Sequence, residues 1–222
     1  MQRQPAVADR GPDAGHCTDG TAVARVWFDE NVQNNSEYPF GEATSYGGTP
    51  YNPGFCIGCG NGLPGLAQRD HGIIVLTEPI PTSVVSDYAQ LPSAGLVDEL
   101  SSKAPVTLVG YGVQERILGG GPPVWAGLRV RPMAPARLVS GSSTHSEEFV
   151  RVTASPGQGG GTCFGDSGGP ILNGNTDTVL AVNSYVIGIV WGQAPPFGAG
   201  LARPARSALL GDVRPEGLQR CA

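Results

Sequence analysis

Residues 161–170 read GTCFGDSGGP, with Gly165, Gly168 and Gly169 crowded around a single serine, Ser167. Glycine weakens any strand that it interrupts, so this crowding needs a reason. A surface turn is the plain reading. A chemical one fits better, because glycine permits unusual backbone angles and lets a carbonyl approach the main chain. It also frees amide N–H groups to face a developing oxyanion. The other use of a glycine-rich run is a phosphate-binding loop. That use fails here: no Lys-Ser or Lys-Thr follows, and residues 157–161 (GQGGG) do not stand between a strand and a helix.

A serine hydroxyl is a poor nucleophile at its own pKa. It needs a neighbouring base, and a third group to hold that base in one tautomer. Gly165-x-Ser167-x-Gly169 also matches the strand-to-helix elbow of α/β-hydrolases, in which the histidine follows the serine. All three histidines, His16, His71 and His145, precede Ser167, so that arrangement is impossible within this chain. A serine–lysine pair would rest on Lys103, the only lysine, which lies in a polar turn with no matching motif. His145 sits in a Ser/Thr loop (SGSSTHSEE) and reads as a solvated side chain. His71 follows Asp70 directly in RDHGIIVL, and His16 lies in AGHCTDG beside a cysteine able to pin it.

The rest of the chain reads as β structure. With 40% hydrophobic and 15% charged residues, the 222-residue chain is globular and long enough for one domain or two small packed barrels. Its 34 Gly and 20 Pro are too many for a helical protein and lack the period of collagen. Strand-like runs occur at residues 22–29, 72–77, 105–110, 124–130, 148–153 and 178–186, with a long polar loop at 30–54. Short helical segments are expected at residues 93–100 and near Ser207. The net charge of −5 and the scarcity of clustered basic residues argue against nucleic acid, and no run is long and apolar enough to span a bilayer. The first fifteen residues hold no apolar signal-peptide core, which at face value keeps the chain in the cytoplasm.

Four motifs together carry a resemblance. AGHC, the Asp70 that opens DHGIIVL, VGYG at residues 109–112 and GDSGGP resemble, in that order, the signatures of trypsin-like (chymotrypsin-family) serine proteases of the bacterial secreted type. The resemblance covers roughly residues 14–186. It implies an all-β fold of two antiparallel Greek-key barrels. Residues 14–95 would be the remnant of the first barrel, 96–104 a linker, and 105–222 the second barrel with an atypical tail. It implies a serine endopeptidase in which Ser167 attacks the scissile carbonyl, His16 takes its proton and Asp70 orients His16. The N–H groups of Gly165 and Ser167 would form the oxyanion hole. Gly161, at the position of the family's pocket floor, together with Thr162, Ser184 and Tyr185, would bind substrate. Without an aspartate at Gly161, cleavage after basic residues is not expected, and the pocket reads as apolar or small. The wall strand aligns at Asn183-Ser184-Tyr185 or at Val190-Trp191-Gly192, and the former is preferred for its distance from Ser167. The implied partners are protein or peptide substrates, met by an exported monomer without nucleic acid, membrane, metal or organic cofactor.

The cysteines and the ends depart from the family pattern. Cys56 and Cys59 form a C-x-x-C that reads as a local disulfide or a free pair rather than a zinc site, for want of further ligands at suitable spacing. In the family, Cys163 pairs with a downstream wall-loop cysteine; residues 192–200 hold none, and Cys221 is the substitute. No cysteine precedes Cys17 to pair with it. The opening strands of the first barrel are also missing, and with them the apolar N-terminus that in the family inserts beside the counterpart of Asp166. The expectation is therefore an N-terminally truncated chain with an incomplete first barrel. A mis-called start or a reading-frame error would explain both this and the Arg-, Ala- and Pro-rich run after Ile187. The alternative is a truncated, inactive protease homologue that acts only as a binding protein or has no function.

Overall fold

The computed structural model describes residues 9–59, 67–117, 124–139, 149–153, 161–185 and 212–215. In chain order the strands are β1 (Arg10–Asp13), β2 (Ala24–Trp27), β3 (Tyr46–Tyr51), β4 (Cys56–Ile57), β5 (Ala67–Gln68), β6 (Gly72–Leu76) and β7 (Pro105–Val109). They continue with β8 (Glu115–Ile117), β9 (Val124–Ala126), β10 (Met133–Val139), β11 (Arg151–Val152), β12 (Pro170–Asn173), β13 (Val179–Val182) and β14 (Asp212–Pro215). Helix among the described residues is limited to single turns, α1 (Gly15–Thr18), α2 (Leu96–Glu99) and a 3-10 turn at Val32–Asn34. The helix expected near Ser207, His145, Cys221 and the alternative wall segment 190–192 lie outside the described residues.

Two five-stranded antiparallel sheets make the body, ordered β1-β6-β3-β2-β14 and β11-β10-β7-β12-β13. Each is a curled half-barrel, the all-β arrangement expected. In the first, β6 (GIIVL) alternates buried and half-buried residues, as a strand facing a core on one side must. Ala24, Val26, Ile74, Leu76 and Ile80 form its core. In the second, the VLAV of β13 is buried on both faces and packs with Ile171, Val106 and Leu108. Each such side chain taken fully out of water stabilises the fold by roughly 1.5–3 kcal/mol.

One seam joins the halves. Val32 N–H donates to the Arg129 carbonyl at 3.2 Å, and Arg131 N–H donates to Glu30 O at 2.8 Å. Tyr111 Oη donates to Asp29 O at 2.5 Å. Trp27, Val32 and Tyr111 are buried beneath these bonds, and the Arg129 guanidinium lies 5.5 Å over the Tyr38 ring. The seam fixes the two sheets against each other.

Candidate active site

Asp70 is placed by an abrupt turn. Arg69 adopts a left-handed backbone, φ 55°, and the His71 N–H bonds back to the Arg69 carbonyl at 2.8 Å. This three-residue turn, centred on Asp70, feeds β6 and leaves Asp70 only 4% exposed. β1 runs antiparallel to β6 with Asp13 opposite Gly72, so the turn α1 that follows β1 lands beside Asp70. Thr18 Oγ1 closes that turn on the Ala14 and Gly15 carbonyls.

His16 is thereby gripped twice. Its backbone N–H donates to Asp70 Oδ1 at 2.7 Å, and its ring Nδ1 lies 2.9 Å from each carboxylate oxygen. Facing an acceptor, Nδ1 carries the proton, which leaves the lone pair on Nε2 at the far side of the ring. Ser184 Oγ, just beyond β13, donates to Asp70 Oδ2. Burial by itself pushes the Asp70 carboxyl up. The His16 hydrogen bond and charge, with the Ser184 hydroxyl and the His16 N–H, outweigh it and hold the group below its usual range. The Phe55 ring lies tilted beside the imidazole, centroids 6.0 Å apart at 56°.

Ser167 arrives from the second sheet. Gly168 N–H donates to the Asn183 carbonyl, and Asn183 N–H returns a bond to Gly169 O, each at 2.8 Å. The serine loop is thus laddered to the residue next to Ser184. On its other side, Gly168 has φ 80°, and a Cβ there would overlap Asp13 Oδ1 and sit 3.1 Å from Ala14 N. Only glycine allows the loop to press so closely on the residues that precede His16. The loop that carries Ser167 thus lies between the residues before α1 and the segment before Ser184. No hydrogen bond joins Ser167 to His16 among the described residues.

Around the serine, the backbone donors divide into two sets. The N–H groups of Asp166, Gly168 and Gly169 are spent on Cys163, Asn183 and Asp166 carbonyls. Those of Gly165 and Ser167 donate to no acceptor among the described residues. The Asp166 carboxylate accepts from Gly112 N and Cys163 N, each at 2.7 Å, and no basic side chain pairs with it among the described residues. Burial pushes its pKa up to about 6 against the pull of those two bonds. Burial raises the Cys163 thiol against the pull of a backbone hydrogen bond with Phe164, and the Asp166 charge adds to the rise.

Of the residues expected to bind substrate, Gly161 is exposed, Thr162 and Ser184 are buried and Tyr185 is half-buried, its ring edge-on to Phe149 at 5.8 Å. Burial, then the nearby Asp70 charge, raises the Tyr185 phenol. Cys56 and Cys59 form the local disulfide. Two residues were not singled out in the sequence: Phe55, whose signal is only an aromatic before the C-x-x-C, and the buried side chain of Asn183. Among the described residues no cluster of three or more His, Cys, Asp or Glu could hold a metal, and no helix is long and apolar enough to cross a membrane.

The family described as Trypsin matches residues 13–203. No curated protein matches the chain. Among solved structures it is similar to human heparin binding protein, at 15% identity over 89% of this chain and 77% of that one, with a TM-score of 0.58. It is similar to HL collagenase at 15% identity over 87% and 78%, TM-score 0.56. A scabies mite inactivated protease paralogue, S-I1, is similar at 17% identity over 86% and 78%, TM-score 0.53. At such identities these likenesses speak for the fold alone, a double β-barrel of the chymotrypsin type. The family match spans most of the chain and takes in Asp13, His16, Asp70 and Ser167: the chain belongs to the trypsin family.

Proposed function

We propose that the chain is a serine endopeptidase working through an acyl-enzyme. Ser167 Oγ attacks the scissile carbonyl while His16 Nε2 takes its proton, and the same nitrogen later protonates the leaving amine. Asp70 keeps Nδ1 protonated and stabilises the imidazolium. The N–H groups of Gly165 and Ser167 receive the oxyanion; one such donor is worth roughly 10²–10³ in rate. The observation that carries this reading is the double grip of Asp70 on His16, ring and backbone together, with Ser184 as third donor. That much hydrogen bonding on one buried carboxylate serves a side chain whose orientation matters. On the same reading the partners are protein and peptide chains, met outside the cell by a monomer.

Intact mass after treatment with a fluorophosphonate, beside a Ser167→Ala control, tests it. Stoichiometric labelling of the wild type alone supports an assembled site. Folded protein that takes no label supports the inactive homologue instead, and there the likeness to the inactivated mite paralogue would gain weight.

A further inference from the structure

Two segments meet beside Ser167, residues 161–169, which carry it, and 183–185, bonded to Gly168 and Gly169, and within them three polar atoms are buried without a hydrogen-bond partner among the described residues. They are Thr162 Oγ1 and both Nδ2 and Oδ1 of Asn183, on residues 8% and 2% exposed. Buried polar groups are nearly always paired, and each orphan costs the folded state roughly the desolvation of the group. The main chain of Asn183 is occupied in holding Gly168 and Gly169, but its amide is not needed for that task. Leucine is nearly isosteric with asparagine, and valine with threonine. Either replacement would fill the same space with no orphan. The fold alone gives no reason for three hydrogen-bonding atoms to be kept there, in the two segments expected to bind substrate.

We infer that this is the primary specificity site and that it selects a neutral side chain ending in a carboxamide, glutamine or asparagine, at the residue whose carbonyl Ser167 attacks. The inference rests on the protease reading above. A carboxamide brings one acceptor and two donors, the complement of an amide plus a hydroxyl. Its carbonyl accepts from Asn183 Nδ2, and its NH₂ donates to Asn183 Oδ1 or Thr162 Oγ1. The competing side chains fit worse. Arginine or lysine finds no carboxylate at Gly161. Aspartate or glutamate meets no cation in either segment, where the one charged side chain is Asp166. Leucine or phenylalanine leaves all three atoms unpaired, so the apolar pocket expected from Gly161 alone gives way to a polar one.

The test is a set of peptides differing only at that residue (Gln, Asn, Met, Leu, Arg, Glu), with kcat/KM measured on wild type, Asn183→Leu and Thr162→Val. The fluorophosphonate, which has no such side chain, is run on the same samples. Gln should exceed its isostere Met, or Asn its isostere Leu, by roughly tenfold or more, since a site built to hydrogen-bond rejects the analogue that cannot. In each variant that ratio should fall toward one. Both variants should melt no lower than wild type, because each removes a buried unpaired group. Should one fail to fold, the other and the wild-type ratio carry the test. Fluorophosphonate labelling with Met, Leu, Arg or Glu peptides cleaved as well as Gln and Asn overturns the inference and leaves the protease reading standing. Folded wild type that neither labels nor cleaves any peptide overturns both.

Discussion

Ser184 Oγ donates to Asp70 Oδ2 across the seam, 114 residues away in the chain. Removing that donor from a buried carboxylate costs about 1–3 kcal/mol. Ser184→Ala should therefore melt earlier and take up fluorophosphonate roughly tenfold more slowly, because the tilt of His16 depends on Asp70. The pH response has a definite sign. The folded pKa of Asp70 lies below its ordinary 3.8, so its stabilisation is complete above that value and lost as pH falls through the lowered one. In Ser184→Ala the folded pKa rises toward the ordinary one, so the loss should be smaller and complete at higher pH. Acid unfolding curves that superimpose would count against the bond.

Asp166 works in the opposite sense. Its folded pKa of about 6 stands above its ordinary 3.8, so the folded state holds the proton more tightly than the unfolded one. Its contribution to stability is largest below pH 4 and drains away as pH rises to about 6. Asp166→Asn should abolish that falling limb: the difference in urea midpoint between variant and wild type should grow between pH 4 and 7 in favour of the variant. A difference independent of pH would refute the assignment.

The Phe55 ring on His16 is expected to restrict the imidazole. Asn52 Oδ1 accepts from the Gly54 and Phe55 N–H groups on one side, and the Cys56–Cys59 disulfide follows on the other. Phe55→Ala should slow labelling roughly fivefold, the scale of one aromatic pair, with Phe55→Tyr restoring most of the loss. The His16 ring resonances in NMR should move in the first variant and return in the second. Unmoved resonances in Phe55→Ala would refute the contact.

Gly168→Ala should be among the most damaging single changes. A left-handed alanine costs about 1–2 kcal/mol, and its Cβ also meets the buried Asp13 carboxylate. Chemical denaturation should show a loss beyond the backbone term. Adding Asp13→Ala should recover the steric part, leaving about the backbone part. Full recovery, or none, would contradict this account.

The family was legible because the motifs around His16, Asp70 and Ser167 keep their order in the sequence, and the match over residues 13–203 takes in all three. Strand β6 was legible because it is apolar with a clear alternation. Strand β3, YGGTPY, was read as part of a polar loop, since two glycines and a proline look like a turn. It pairs with both β2 and β6, and Gly48 is demanded there by the Val75 carbonyl, 2.7 Å from where a Cβ would stand. Close packing of backbones is invisible to a reading based on hydrophobic period. The same holds for Asn183. A polar residue after an apolar run reads as the end of a strand, and only the tertiary structure reveals that its amide is buried and unpaired among the described residues. Ser184 could be proposed from its distance to Ser167, but its grip on Asp70 joins residues that no local pattern connects.

Residue 183 divides its labour between main chain and side chain. Its N–H and C=O hold Gly168 and Gly169 in place whatever side chain is attached, so the loop that carries Ser167 does not depend on asparagine. A position of this kind can change its side chain without dismantling the machinery beside it. On the protease and carboxamide proposals, selectivity would therefore drift, or be re-engineered, by single substitutions at 183 while Ser167 stays where it is.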